Sequence, residues 1–596
     1  MIVLGVNEGH NAGAALLVDG KLVAAISEDR PTRQTTRSGF PFQAIEGCLA
    51  LAGITKKEID HLAIASTQLP PKYFWIPRES FSIADFWREQ NDYWKPRLFA
   101  GQKPSYMEVF KHRMDPSRFV YDASMIRGED DLEGMLAARL KHHEAYFGLP
   151  RERMTVYDHH TCHAWYGFMV HPERLQRDLV VFTADGAGDG VNGTVWYAPR
   201  GQPLQELHRT NQCNIGRIYR YATLLLGMKQ FEHAFKTMGL APYANPKYGR
   251  AAYEVYAETL QVDGLGFSYR VKPKDHFFHF KEKLEGMRFD GIAWGVQKRT
   301  EELLSEWIGN GVRQTGTGHV VFSGGVAMNI KANKVVWERE DVHSLFVPPG
   351  SGDESLAIGA ACKAVVDFAK LPGESIQLCR PMTSAYLGPE YTPDTIEKKL
   401  DHAQGLSGCS VEKADTRRVA GLLAQGRVVG RFVGRGEFGQ RALGNRSILA
   451  DPRSRDVVRT INEMIKQRDF WMPFASSVLA ERMLDYVVNP KHLAADFMTL
   501  AFDSTPLAQR DMIGALHPYD LTSRPQVVHR EMNPGYHELI SAFSALTGVG
   551  ALLNTSFNLH GEPIVHTPED AISTFLRSGL DHLLLADWLV SKPGQS

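Results

Sequence analysis

The chain has 596 residues, 43% of them hydrophobic and 23% charged, with a formal net charge of −1. That length exceeds what one hydrophobic core serves, so two or more domains are expected. The balanced charge counts against a nucleic-acid partner, and no apolar run is long enough to span a bilayer, so the expected address is the cytoplasm with no membrane attachment.

MIVLGV, GHNAG and AALLVDGKLVAAIS read in turn as strand, turn and hairpin, with the DG pair between two apolar runs as the hairpin signal. The opening lacks a basic n-region and so is not read as a signal peptide. AIEGCLALAG reads as a helix ended by glycine, and HLAIAST as a strand. From Leu69 to Asp130 runs an aromatic-rich, irregular or short-helical insertion, placed to shape a pocket or to pack as a flap. DLVVFTADGAGDGVNGTVWYA repeats the pattern of apolar strand, Asp-Gly turn and strand, which points to an internal duplication of ribonuclease-H-like lobes. A domain boundary is expected between Phe368 and Tyr391, giving domains of 1–375 and 390–596 with 69–130 inserted in the first. The C-terminal stretch from Val549 reads as strand, polar loop, helix and strand. None of the six cysteines forms a CxxC pair, so they read as buried thiols.

Several segments carry chemistry. In DHHTCHAWYGF, His159 and His163 are spaced i, i+4 and face one way on a helix, which suits a shared metal ion. Two ligands hold a metal weakly, and Asp353 in the glycine-rich GSGDES turn is a candidate third. Two imidazoles and a carboxylate favour Fe(II), Zn or Mn. Ordinary polar contacts at a helix start are the plainer alternative. Gly324, Gly325 and Asn329 in SGGVAMN form a strand-to-helix turn where a nucleotide can approach. Asp185, in DGAGDGVNG, is placed to hold Mg2+ or polarise a hydroxyl. Arg435, Arg441, Arg446 and Arg453 lie among glycines and apolar residues, a pattern that fits a phosphate pocket. Lys466 and Arg468 could extend it, and Asn554, Ser556 and Asn558 of NTSFNLHGEP could reach base or phosphate.

GHNAGAALLVDGKLVAAISEDRPTR, DHHTCHA, KTMGLAPYA, SGGVAMN, GDESLAIGAA, GEFGQRALGNRSILADPR and LLNTSFNLHGEPIVHTPEDA occur in this order over nearly the whole chain. Together they resemble the NodU/CmcH carbamoyltransferases. The resemblance implies an α/β protein. Its N-terminal domain would be TsaD-like, of the duplicated actin, heat-shock-ATPase and acetate-kinase architecture, and its C-terminal domain YrdC-like. It implies that the second domain makes carbamoyl adenylate from carbamoyl phosphate and ATP. The first would then move the carbamoyl group to a hydroxyl of a small natural product with the help of a metal. By the same resemblance His159, His163 and Asp353 look like iron ligands, and His10 like the histidine at the carbamoyl group. Arg441, Lys466 and Arg524 look like basic residues of the adenylate-forming pocket. The chain departs from the family in SEDRPTR, where SEERFTR is usual, and at Met472, where many relatives carry arginine. His560 stands at a variable position of the NTSFN motif. A tRNA threonylcarbamoyl transferase, a small-molecule kinase and a degenerate ATP-binding protein are the rival readings. The expected assembly is a monomer or homodimer.

Overall fold

The computed structural model describes residues 1–369, 375–466 and 468–594. The Lys-Leu-Pro-Gly stretch of the expected linker lies outside the described residues. The chain divides into two compact units, one of Met1–Glu28 with Thr36–Met382, the other of Asp29–Thr35 with Thr383–Ser596.

Unit one contains the same sheet twice. In the first lobe β1 (Ile2–Asn7), β2 (Gly13–Val18), β3 (Lys21–Ser27), β4 (His61–Ala65) and β5 (Met154–Tyr157) lie in the order β3-β2-β1-β4-β5. The first three pair antiparallel, and β4 and β5 continue parallel to β1. In the second lobe β6 (Leu179–Gly188), β7 (Val191–Ala198) and β8 (Gln205–Thr210) form the meander. A small hairpin, β9 (Leu260–Asp263) and β10 (Gly266–Tyr269), stands apart, and β11 (His319–Ser323) and β12 (Ser344–Phe346) complete the sheet in the order β12-β11-β6-β7-β8. Strand order and pairing sense match the first lobe. The topology is therefore the duplicated lobe expected from the two Asp-Gly turns.

Local chemistry explains the repeat. Asp19 and Gly20 both adopt left-handed backbone, as a tight hairpin turn requires. Helices follow the last strand of each lobe: His159–Val170 after β5, and Leu356–Asp367 after β12. Small residues let them pack closely. A Cβ on Gly359 would lie 1.9 Å from the Cys162 carbonyl oxygen, and one on Gly5 1.9 Å from that of Ala357. The 69–130 insertion is a run of short helical turns with its own apolar core of Ile76, Phe81, Phe86, Tyr93, Tyr106 and Phe110, packed with Tyr221 and Leu224 of the Ile215–Leu225 helix.

Unit two is built on an eight-stranded mixed sheet. Its strands are β13 (Ser410–Lys413), β14 (Val429–Phe432), β15 (Arg446–Ala450), β16 (Ala475–Leu479), β17 (Pro525–Val528), β18 (Ala551–Ser556), β19 (His582–Leu585) and β20 (Trp588–Ser591), in the order β13-β20-β19-β14-β15-β18-β16-β17. The single last strand expected from sequence is a hairpin, turned at Ala586, whose φ is 52°. No glycine marks that turn. Within this unit Arg33 donates to the carbonyls of Pro563 and Ile564 at 2.7 Å each and faces Asp570 at 3.6 Å. The segment Asp29–Thr35 is thus bonded to the strand-to-helix loop that follows β18.

Candidate active site

Helix geometry brings His159 and His163 together. Asp158 caps their helix by accepting from the Thr161 amide, and Asp189 accepts from the His159 amide at 2.9 Å. Gly188 leaves room for the His159 ring: a Cβ there would sit 2.2 Å from the imidazole. Ser66 pairs with His159 Nδ1 at 3.2 Å, which leaves Nε2 facing Asp353 Oδ1 at 3.5 Å. His163 Nε2 lies 3.5 Å from Asp353 Oδ1 and 3.6 Å from Asp185 Oδ2. Asp353 stands in the turn before the Leu356–Asp367 helix, and Asp185 on β6, where Gly325 donates its amide to Oδ2 at 2.6 Å.

One donor atom from each of these four residues lies within 4.8 Å of all the others. Both Nε2 atoms are buried without a hydrogen bond, as is Nδ1 of His163. Orphaned buried imidazole nitrogens are costly unless something satisfies them. Ligand atoms about 2.1 Å from a tetrahedral metal stand about 3.4 Å apart, close to the separations found here. The residues present therefore fit a divalent metal. Burial alone would lower the His163 pKa, but Asp185 and Asp353 outweigh it and bring it up to about 9. Asp185 is correspondingly held well below the usual carboxylate range: burial opposes this, and His163 and the Gly325 amide prevail. His160 points away and bonds Thr183 at 2.7 Å. Sequence reading placed Asp185 on a reacting hydroxyl or Mg2+; the structure brings it to the histidines.

His10 occupies the β1–β2 turn. Asn7 donates from one side-chain nitrogen to the carbonyls of His10 (3.0 Å) and Asp353 (3.1 Å), so one amide ties the His10 turn to the Asp353 turn. Spacing gave no signal for Asn7. Gly324 abuts the Ala184 backbone, while Asn329 caps the Ile330–Trp337 helix and bonds Gln297 at 3.0 Å.

In unit two, Glu437 Oε1 accepts the amides of Leu443, Asn445 and Arg446 and so closes the loop that bears Arg441. Burial lowers the Arg524 guanidinium well below its ordinary value, and Arg441 and Arg468 add to the effect. Arg468 is pushed down to about 10 by burial and by Arg441. Three mutually repelling guanidiniums make a place for a polyanion. The other candidates here serve the framework. Arg446 donates to the carbonyls of Val433, Asn445, Pro389 and Gly434, and Arg435 to those of Gly388 and Leu387. Arg453 pairs with Asp451. Asn554 holds the Ala442 carbonyl at 3.1 Å, beside Arg441. Ser556 bonds Asn558, which bonds the Glu562 carbonyl. The Lys466 side chain lies outside the described residues.

A family model described as the carbamoyltransferase N-terminus matches residues 2–362, and one described as the carbamoyltransferase C-terminus matches residues 420–592. The nodulation protein NolNO of Sinorhizobium fredii is 31% identical, over 98% of this chain and 79% of its own length. NolO of Bradyrhizobium diazoefficiens is 31% identical, over 73% of this chain and 79% of its own. The 3'-hydroxymethylcephem-O-carbamoyltransferase of Amycolatopsis lactamdurans is 32% identical, over 44% of this chain and 47% of its own.

Proposed function

The chain belongs to the carbamoyltransferase family, and on that premise we propose that it carbamoylates a hydroxyl of a small-molecule natural product by way of carbamoyl adenylate. In unit two water releases phosphate from carbamoyl phosphate, and the carbamate oxygen so freed attacks the α-phosphorus of ATP, with Mg2+, to give carbamoyl adenylate and expel pyrophosphate. Arg441, Arg468 and Arg524 hold the phosphoryl oxygens there. The observation that carries the transfer half is the cluster of buried His159 and His163 with partly buried Asp185 and Asp353, and its orphaned nitrogens.

In unit one the acceptor oxygen attacks the carbamoyl carbon, its bond to the phosphoryl oxygen breaks, and AMP leaves. His10 takes the hydroxyl proton, a role suited to an imidazole. Asn7 fixes the His10 turn against the Asp353 turn. His159, His163 and Asp353, with Asp185 in reach, would hold a divalent metal, of which Fe(II) suits the donor set. A metal bound there would supply Lewis-acid chemistry, favouring negative charge that develops on the carbamoyl group. Keeping the adenylate from water suppresses its hydrolysis.

Pyrophosphate release from ATP, assayed with and without carbamoyl phosphate, tests the reading. Release is expected only when carbamoyl phosphate is present; ATP consumption that ignores it and yields ADP without pyrophosphate would point to a kinase or another ATPase.

A further inference from the structure

Arg220 has no role in the chemistry described so far. It lies on the Ile215–Leu225 helix, partly buried. Its guanidinium stands 4.7 Å from the ring centre of Phe231 and 5.3 Å from that of Tyr221. Phe231 is 5.8 Å from the His10 imidazole and 5.7 Å from Phe86 of the 69–130 insertion. Arg220 also reaches the Asp185 loop: a Cβ on Gly186 would lie 3.7 Å from its Nη1. The guanidinium is therefore one ring from His10 and one residue from a member of the metal-binding cluster.

What Arg220 lacks is a counter-ion. No carboxylate pairs with it among the described residues, and its Nε is buried without a hydrogen bond. Burial lowers its pKa; Tyr221 opposes that effect, and Arg217 and Arg78 reinforce it. Arg78, which also faces Phe231, differs: it is paired to Glu89 at 2.6 Å. Aromatic faces attract a guanidinium but do not replace a carboxylate. A partly buried cation without a counter-ion costs stability, and such a cost is commonly retained where a ligand relieves it.

We propose that Arg220 is an anion-binding residue of the transfer site, taking a phosphate or carboxylate oxygen of the ligand that reaches His10. Two ligands bring that chemistry: the phosphoryl group of the carbamoyl donor, or an acid carried by the acceptor. The placement beside His10 rests on the reading of unit one as the transfer site. The anion preference does not, and binding can be measured without any carbamoyl transfer.

The experiment uses the full chain in an Arg524→Met background, which disables the anion pocket of unit two. AMP stands in for the donor; glucuronate and tartrate, each compared with a neutral polyol, stand in for an acidic acceptor. Arg220→Gln is expected to weaken one of these anions by about tenfold or more, the scale of one charge-assisted contact, with Arg220→Lys restoring part of the loss. A loss confined to AMP assigns the donor, and a loss confined to the acids assigns the acceptor. The ligand-free unfolding temperature of Arg220→Met is expected to rise, because an uncompensated charge is removed. Affinities that ignore Arg220 for every probe, or a fall in unfolding temperature with unchanged binding, would overturn the assignment. If anion binding depends on Arg220 but no carbamoyl product is ever formed, the anion site stands and the transfer reading fails.

Discussion

Glu8, two residues before His10, is fully buried and shares its carboxylate among three partners. Arg139 Nε donates at 2.7 Å, the Tyr121 hydroxyl at 2.7 Å, and His143 Nε2 lies at 3.2 Å. Burial would raise the Glu8 pKa, but Arg139 and His143 overcome it and hold it well below the ordinary 4.5. A depressed folded-state pKa means that the stabilisation is complete above the unfolded value. It is lost as pH falls below about 4.5 toward the folded value. Unfolding temperature should therefore drop more steeply for the parent than for Glu8→Gln between pH 5 and 3, because the variant has no proton to gain at this site. At pH 7 the variant should be weaker by about 3–5 kcal/mol, since Arg139 is left buried without its partner. Equal slopes for the two proteins would remove Glu8 from the acid response. Arginines show how far a single residue can be read from sequence. Arg441 and Arg446 look alike there, yet one faces other guanidiniums and the other is spent on carbonyls. A sequence displays the charge but not the carbonyl beside it.

At the scale of elements, the close crossing of the His159–Val170 and Leu356–Asp367 helices sets the distance between the histidines and Asp353. A methyl at Gly359 has no room against the Cys162 carbonyl, so Gly359→Ala must push the helices apart. We expect it to cost about 1–3 kcal/mol as overpacking and to reduce bound metal in the purified protein, although no ligand is altered. Metal content equal to the parent's, measured by elemental analysis, would show that the crossing does not tune the cluster. The lobe repeat was legible because both meanders begin with an apolar strand and an Asp-Gly turn. β8 was not, because QELHRT is polar and exposed to partly buried, so nothing marks it as a strand apart from its pairing with β7. The histidine spacing was legible because a helix has a fixed period. The arrival of Asp185 was not, since it depends on the β6–β11 register.

For the molecule as a whole, the proposed function assigns one half-reaction to each of the two units, and the two should be separable. Arg441→Ala should slow carbamoyl adenylate formation by about tenfold to a hundredfold or more, an arginine–phosphate contact contributing about 1.5–3 kcal/mol or more. The same protein should still make product when given synthetic carbamoyl adenylate. Failure on the supplied adenylate as well would place Arg441 in the transfer step or in the fold.

Arg33 and the two carbonyls it holds are 530 and 531 residues apart in the chain. A ribosome adding about 5–20 residues each second takes roughly half a minute to two minutes to cover that span. Throughout that wait Asp29–Thr35 has emerged and its docking loop does not yet exist. Unit two thus closes on a segment made some 530 residues before the loop that receives it. A chain released before Pro563 is translated would carry an orphaned Asp29–Thr35 loop, visible to chaperones and proteases.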